Sequence, residues 1–300
     1  MTNVGKVEGT LEKNSSTAEV EIAGVKWCLS REYSSLQIRG RLEENLLWTY
    51  TARGNLTVWG SNVERRFLVW SNSCDCYNAL DDTFILELDI HTPGETVSFE
   101  GEIEVAKVRR IDLSSPTNEA IQSPEDAALL ELSDKKIWVS KTILSVHSPF
   151  FKTLFSGDFK ENATGTYALK EVDLHDFKFF LSIVYNLEIT VDDGMIGKLA
   201  FINSSTLAED PLESILRLGD MYQCEVVLRF CRDILRHLPD SFRLETKIEF
   251  CDRYGFWPLL TTIIKEAKPD ELKALVKRGC CVQYSSFLRF LIENRLAASR

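Results

Sequence analysis

The residues of this chain that are best able to bind a metal or act as nucleophiles are its eight cysteines. Two groups are closely spaced, Cys74-Asp75-Cys76 and Cys280-Cys281. Structural zinc is usually held by two Cys or His pairs with about two to five residues inside each pair, and neither group has that spacing. Cys224 and Cys231 are seven residues apart, which places both on one face of a predicted helix. We therefore expect no metal site and interpret the cysteines as buried, reduced thiols.

The histidines offer little for catalysis. They are His91, His147, His175 and His237, and only His147 has a neighbouring serine, Ser148. The chain has no GxGxxG, P-loop, GxSxG or HExxH motif. A nucleophile and a base can still meet in space, so an enzyme that uses His147 or a cysteine stays open as an alternative. We expect no catalytic residues and no cofactor.

Charge and hydropathy exclude two classes of partner. The chain has 300 residues, with 35 Lys and Arg against 45 Asp and Glu, a net charge of −10. A nucleic-acid binder or a protein that docks on anionic lipid needs a basic surface, so we expect neither partner. The N-terminus has no apolar signal region, and no apolar run approaches the ~20 residues of a membrane span. These features predict an intracellular protein, cytoplasmic or nuclear.

The first ~110 residues have the pattern of an antiparallel β-sandwich. Short runs rich in Val, Ile, Phe and Trp alternate with turn signals, two of which are Arg53-Gly54-Asn55 and Ser71-Asn72-Ser73. In the last run, Val97, Phe99, Ile103 and Val105 share one buried face if a bulge is placed at Gly101. The polar, proline-containing stretch 112–126 that follows predicts a linker or a solvated boundary.

The remainder of the chain predicts a mixed module and then a helical tail. Two strands flank the Ser133-Asp134 turn, and Ser148-Pro149 begins a helix. Apolar residues at helical spacing predict further helices around 177–185, 211–222 and 227–238. The region from Phe242 to Arg300 is predicted entirely helical, with breaks at Trp257-Pro258, Lys268-Pro269 and Gly279. The predicted fold class is α+β and multidomain.

Residues 118–238 contain a series of motifs in a fixed order: the strand pair that ends at Val139, Lys141-x-x-Leu144, Ser148-Pro149-x-Phe151-x-x-Leu154-Phe155, Phe159 to Glu161, the strand that ends at Val172, Phe177 with Val184-Tyr185, and Leu216-x-Leu218-Gly219-Asp220 with Cys231. With these motifs the region resembles the BTB (POZ) domain. It departs from the family pattern in having Ser140 where the family usually has His, Tyr185-Asn186-Leu187 in place of a Tyr-Thr-Gly turn, and a longer stretch at 190–209.

The resemblance implies a protein-interaction module. BTB domains dimerise, and many bind a cullin-3 scaffold as substrate adaptors of a ubiquitin ligase. Members that bind cullin have a hydrophobic-x-Glu motif in the loop after the Ser-Pro helix, and that position reads Phe159-Lys160-Glu161 here. Phe159 would supply an apolar anchor and Glu161 a charged partner. An exposed loop with a chance triplet is the alternative.

The flanking regions have resemblances of their own. The segments VEGTLEK and AGVKWCLS are similar to the opening of MATH domains, in which a Gly-x-x-Trp strand is typical, and Trp27 is predicted to lie in the core. The tail resembles the paired helices that follow BTB domains in cullin adaptors.

The prediction is therefore a non-enzymatic adaptor with three parts. These are a MATH-like sandwich at 1–112 that recruits an unidentified client, a BTB domain at 118–238 that forms a homodimer and binds cullin-3 through Phe159, Lys160 and Glu161, and a helical extension at 239–300. The alternative is a BTB scaffold without a link to ubiquitination, such as a transcriptional co-repressor or a cytoskeletal adaptor.

Overall fold

The computed structural model describes most of the chain, and its residues group into two compact units. One unit comprises Met1–Val146 with Phe151–Thr190, and the other comprises His147–Phe150 with Val191–Arg300. The predicted domain boundaries stay a prediction. The described residues are 3–32, 35–43, 45–60, 66–77, 83–89, 96–156, 164–187, 189, 211–238, 242–277 and 284–298.

The N-terminal part of the first unit contains antiparallel sheets, as the alternating runs predict. The described strands form a four-stranded sheet in the order β1-β8-β5-β6 and another in the order β2-β3-β4-β7. Trp27 is 1% exposed and lies in the core, as predicted. The strands are β1 (Val4–Glu12), β2 (Val20–Ile22), β3 (Val25–Glu32), β4 (Ser35–Arg41), β5 (Leu46–Trp59), β6 (Arg66–Tyr77), β7 (Thr83–Asp89) and β8 (Thr96–Asp112).

Two predicted turns are wrong, because β5 continues through Arg53–Asn55 and β6 through Ser71–Ser73. Gly54 explains the first error. A Cβ atom at Gly54 would lie 2.4 Å from the carbonyl oxygen of Glu102 and 2.6 Å from the ring of Trp70. The glycine therefore permits close packing within a strand instead of a change of chain direction.

The predicted bulge at Gly101 is also wrong. Val97, Phe99, Ile103 and Val105 are all buried. Together with Gly101 they occupy every second position of β8 from Val97 to Val105, so they share one face without an extra residue in the strand. Gly101 itself pairs in register with Val7 and with Leu56. The register shift between β5 and β8 lies further along β8, near Lys107, whose φ is 49°.

A three-stranded sheet and adjoining helices follow the sandwich. The strands are β9 (Ala127–Leu132), β10 (Lys135–Ser140) and β11 (Thr166–Leu169), in the order β10-β9-β11. β10 pairs antiparallel with β9, and β11 pairs parallel with it. The helices are α1 (Lys141–His147), α2 (Pro149–Ser156) and α3 (Leu174–Val184). α3 begins at the N-cap Asp173, whose carboxylate accepts from the amides of His175 and Asp176.

The described residues of the second unit are mainly helical, as the apolar periodicity predicts. α7 and α8 begin at the predicted breaks Trp257-Pro258 and Lys268-Pro269, and Gly279 lies outside the described residues. No helix in the described part of the chain is long and apolar enough to span a membrane. The helices are α4 (Pro211–Met221), α5 (Glu225–His237), α6 (Leu244–Arg253), α7 (Trp257–Glu266), α8 (Pro269–Lys277) and α9 (Ser286–Ala297).

The stretch 112–126 is mostly exposed or partly exposed, as its composition predicts, but three of its residues are buried. Leu113 is fully buried, and Asn118 and Asp126 are 6% and 7% exposed. The Asn118 side-chain amide donates to the carbonyl oxygen of Ser115 at 3.1 Å and to that of Trp138 at 3.3 Å. Asn118 therefore replaces solvent with hydrogen bonds to the protein, which composition alone does not reveal.

Candidate protein-interaction site

The predicted cullin-binding residues Phe159, Lys160 and Glu161 lie outside the described residues. The elements on either side of them are described. α2 ends at Ser156, and β11 begins at Thr166. The triplet therefore occurs in the connection between α2 and β11.

Aromatic packing fixes the two ends of this connection relative to each other. The ring of Phe151, which is fully buried on α2, lies 6.4 Å from the rings of Phe177 and Phe180 on α3. Phe155, one turn later, makes an edge contact with Tyr167 of β11 at 4.9 Å. Such ring pairs contribute about 0.5–1.5 kcal/mol each beyond area burial, so the elements that flank the triplet are packed together.

An open cavity of about 590 Å³ lies beside α1 and α2. Val146 on its border is 73% exposed, although it is a large apolar side chain. Val146 and Phe155 are the two apolar side chains of this cavity, and the other lining residues are polar. The lining residues are Lys141, Thr142, Ser145, Val146, Lys152, Phe155 and Ser156.

A buried carboxylate organises the start of α1. Asp126 accepts hydrogen bonds from the Ser140 hydroxyl at 2.8 Å, from the Thr142 amide at 2.7 Å and from the Gln122 amide at 3.1 Å. Burial alone would raise the pKa of Asp126, but these hydrogen bonds outweigh it and hold the pKa below its usual range. Ser140, which stands where BTB domains usually have His, is thus a donor to this carboxylate.

Tyr185 completes the same network. Its hydroxyl oxygen accepts from the Ser140 amide at 3.1 Å, and its burial raises the pKa of the phenol. Tyr185, the residue that this turn shares with the family pattern, therefore has a structural role. Lys141, next to Ser140, donates to the carbonyl oxygen of Glu125 at 3.0 Å.

Ser148, the one serine beside a histidine, is engaged in the second unit. It is 1% exposed, and its hydroxyl donates to the carbonyl oxygen of Tyr222. The Tyr222 ring also contacts Phe150 at 5.1 Å, and burial raises the pKa of Tyr222 to about 12. These contacts attach the beginning of α2 to the end of α4.

The described cysteines have the surroundings of core thiols. Cys224, Cys231 and Cys251 are fully buried and unpaired, and Cys28 is partly buried. Burial raises the pKa of Cys224 to about 11 and that of Cys251 to about 12, which disfavours the reactive thiolate. The side chains of Cys74, Cys76, Cys280 and Cys281 lie outside the described residues. Within the described residues, no group of three or more potential metal ligands occurs.

The sequence analysis missed a second, larger cavity of about 740 Å³ in the first unit. Its wall includes Gly24, whose φ is 78°, and Arg110, which donates to the carbonyl oxygen of Ala23 at 2.6 Å. Acidic and basic groups are mixed along it, so it has no strong preference for one sign of charge. The signal available in the sequence was the pair of glutamates Glu19 and Glu21, one before β2 and one within it. The lining is Glu19, Glu21, Gly24, Lys26, Arg41, Leu42, Glu43, Leu46, Arg110, Asp112, Asn118 and Glu119.

Comparison with known proteins agrees with both resemblances. The family model described as BTB/POZ domain matches residues 124–238. BTB and MATH domain-containing protein 15 of Caenorhabditis elegans is 30% identical over 225 residues, which cover 70% of this chain and 76% of that protein. A host-selective toxin structure from Pyrenophora tritici-repentis aligns with 34% of this chain and 94% of its own at 12% identity, with a TM-score of 0.20, and supports no conclusion.

Two further relatives are longer than this chain. BTB and MATH domain-containing protein 38 of Caenorhabditis elegans is 24% identical over 147 residues, which cover 49% of this chain and 34% of that protein. TD and POZ domain-containing protein 4 of Mus musculus is 25% identical over 159 residues, which cover 52% of this chain and 39% of that protein. The chain thus spans between a third and two fifths of the length of these two relatives. Taken together with the sheets and the BTB match, these similarities show that the chain belongs to the family of BTB and MATH domain-containing proteins.

Proposed function

We propose that this protein is a non-enzymatic substrate adaptor of a cullin-3 ubiquitin ligase. Its BTB domain makes it a protein-interaction adaptor. The observation that carries the finer proposal is the Phe159-Lys160-Glu161 triplet at the hydrophobic-x-Glu position of a BTB sequence. In this proposal the sandwich recruits a client, other subunits transfer ubiquitin, and the protein acts in the cytoplasm or the nucleus.

The triplet combines an apolar residue, Phe159, that can be buried at the centre of an interface with a charged residue, Glu161, that can lie at its edge. A phenyl side chain that enters an apolar pocket supplies most of the binding free energy, while a neighbouring carboxylate selects the register. The described elements on either side of the triplet support this role, because Phe151 and Phe155 hold α2 against α3 and β11. Fixed flanking elements lower the entropic cost of ordering an interface on binding.

Homodimerisation is part of the same proposal. Val146 is exposed at the border of the cavity beside α1 and α2, which gives a second copy an apolar contact. A dimer presents two clients and two ligase arms, and the effective concentration of each pair rises without new contacts.

Isothermal titration against the purified N-terminal domain of cullin-3 tests the proposal. The double variant Phe159→Ala with Glu161→Lys is expected to bind at least about thirtyfold more weakly, since loss of an apolar anchor costs about 2 kcal/mol or more. The matched control is Phe67→Ala with Glu104→Lys, which alters an exposed phenylalanine and an exposed glutamate of the sandwich and is expected to bind as the wild type does.

Wild-type affinity of the double variant would reject Phe159 and Glu161 as the docking residues. Absence of binding heat for the wild-type chain itself at two well-separated temperatures would reject the cullin assignment. Co-fractionation with chromatin would then favour the co-repressor alternative.

A further inference from the structure

The outer face of β5 carries buried residues. Trp48 and Tyr50 lie in the sandwich core, so Leu47 and Thr49, between and beside them, point to the opposite face. Leu47 is fully buried and Thr49 is 6% exposed. The outer face of a sandwich sheet is usually solvated, so another element must cover these two side chains.

The neighbouring strand shows the same anomaly. Ile111 of β8 pairs with Leu47 and is 5% exposed, and Leu113, just beyond the end of β8, is fully buried. Neither belongs to the hydrophobic core between the two sheets. The buried patch on the outer face, defined here as Leu47, Thr49, Ile111 and Leu113, is therefore separate from the sandwich core.

Helix α3 contacts β5, which also contacts the neighbouring strands β6 and β8. Its residues from Phe177 to Val184 are all buried, including Lys178 at 2% exposed. A helix that packs on one side only keeps a polar, solvated face, whereas α3 has none over these two turns. The aromatic residues Phe177 and Phe180 pack on α2, so the remaining sides must meet other parts of the unit.

Hydrogen bonds join the same two regions. The Arg109 guanidinium of β8 donates to the carbonyl oxygen of Asn186, just after α3, at 2.9 Å. The Leu113 amide donates to the carbonyl oxygen of Asn45 at 2.9 Å, and the Trp138 amide of β10 donates to the carbonyl oxygen of Leu113 at 2.7 Å. Leu113 thus bonds to the sandwich through its amide and to the BTB sheet through its carbonyl.

We propose that the sandwich and the BTB sheet with α3 form a single rigid arm, held together by the outer-face patch, by Arg109 and by the backbone of Leu113. The arm goes beyond the adaptor proposal, because it exists whether or not a cullin binds. If the protein is an adaptor as proposed above, a rigid arm would present the client in one direction relative to the BTB domain. It also closes the Leu47 region of the sandwich to clients, so a client must bind elsewhere.

Pulsed electron–electron double resonance measures the rigidity directly. Labels attached through non-natural amino acids at Thr10 of β1 and at Asp134, in the exposed β9–β10 turn, avoid the native cysteines. Dilution of the labelled chain with unlabelled chain removes distances between copies. We expect one narrow distance distribution in the absence of cullin, and a broad distribution in the wild type would overturn the proposal.

Matched variants test which contacts hold the arm. Leu47→Asp places a carboxylate in the buried patch and is expected to broaden the distribution, whereas Leu68→Asp alters a leucine of β6 that is 62% exposed and is expected to leave it narrow. An unchanged distribution in the Leu47 variant would contradict the role of the patch.

Hydrogen exchange gives a second measurement that does not require a disruptive variant. Arg109→Ala is expected to raise exchange several-fold at the amides of α3 and of Trp138, because the arm opens more often. The control Arg66→Ala removes an exposed ion pair with Glu100 inside the sandwich and is expected to leave those amides protected. Equal exchange in the two variants, or an unprotected Trp138 amide in the wild type, would overturn the proposal.

Discussion

Asp126 is the residue on which the start of the BTB helices depends most. It collects donors from three separated points of the chain, Gln122, Ser140 and Thr142, and so joins the end of the 112–126 stretch to the beginning of α1. Where related domains usually have an imidazole at position 140, this chain has a hydroxyl, which stays neutral over the physiological pH range. The network therefore changes charge only through Asp126 and not through a histidine at that position.

We predict that Asp126→Asn destabilises the protein by about 1–3 kcal/mol at neutral pH, because buried donors lose a charged acceptor. The folded pKa of Asp126 is lowered, so the unfolded chain binds this proton more readily. The stabilisation is therefore complete above the unfolded pKa of about 4 and is lost as the pH falls through the folded pKa.

Urea unfolding at neutral pH and below about pH 4 measures this difference. The gap between the wild type and Asp126→Asn should shrink on acidification. The control Asp134→Asn, in the exposed β9–β10 turn, should leave the unfolding free energy within about 0.5 kcal/mol. A gap that widens at low pH would contradict the assigned direction of the shift.

The sequence could identify Ser140 as a departure but not its partner. Asp126 and Ser140 are fourteen residues apart and meet only because β9 and β10 pair in register, with Ala127 opposite Ser140. Local pattern predicts the two strands, whereas the hydrogen bond depends on the turn that sets their register.

At the scale of elements, hydrophobic periodicity predicted which helices and strands exist better than it predicted where they begin and end. The apolar stripe predicted for α5 comprises Val227, Phe230, Cys231, Ile234 and Leu238. All of them are buried except Phe230, which is partly exposed. By contrast, glycine inside β5 was interpreted as a turn, because its packing against Trp70 arises from the neighbouring strand. A glycine used for close approach and a glycine used for chain reversal have the same letter in the sequence.

Gly101 should therefore be intolerant of substitution. A Cβ there would lie 2.2 Å from the carbonyl oxygen of Asn55, a backbone atom that cannot rotate away. We predict that Gly101→Ala destabilises the protein by about 1–3 kcal/mol through strain in the β5–β8 pairing.

The control is Gly9→Ala in the adjacent strand, where the new Cβ would lie 3.1 Å from the Phe99 ring, a side chain that can shift. Chemical denaturation of both variants measures the comparison. A smaller loss of unfolding free energy for Gly101→Ala than for Gly9→Ala would contradict the steric account.

For the whole molecule, sequence predicted the parts but not their attachment. The residues that matched the BTB pattern were sufficient to assign the fold, since the family model covers 124–238. The buried positions of the 112–126 stretch could not be predicted, because its prolines and serines are typical of a solvated segment and Leu113 and Asn118 acquire partners only from the folded sheets. Phe159, Lys160 and Glu161 stay a prediction.

Dimerisation in the proposed adaptor should depend on the apolar surface of α1. We predict that Val146→Glu shifts the protein from dimer to monomer without lowering its unfolding free energy, because the side chain is 73% exposed in the single chain. Sedimentation velocity over a range of concentrations measures the shift. The control Val20→Glu, on a β2 residue that is 39% exposed, should stay dimeric. A wild-type chain that stays at 34.2 kDa at every concentration would contradict the dimer.

The most direct test of the adaptor account is sedimentation velocity of the wild-type chain mixed with the N-terminal domain of cullin-3. The account predicts one complex that contains two copies of this chain and two cullin domains, with loss of both free species near equimolar mixing. Separate sedimentation of the two proteins at every concentration, including the highest, would contradict it.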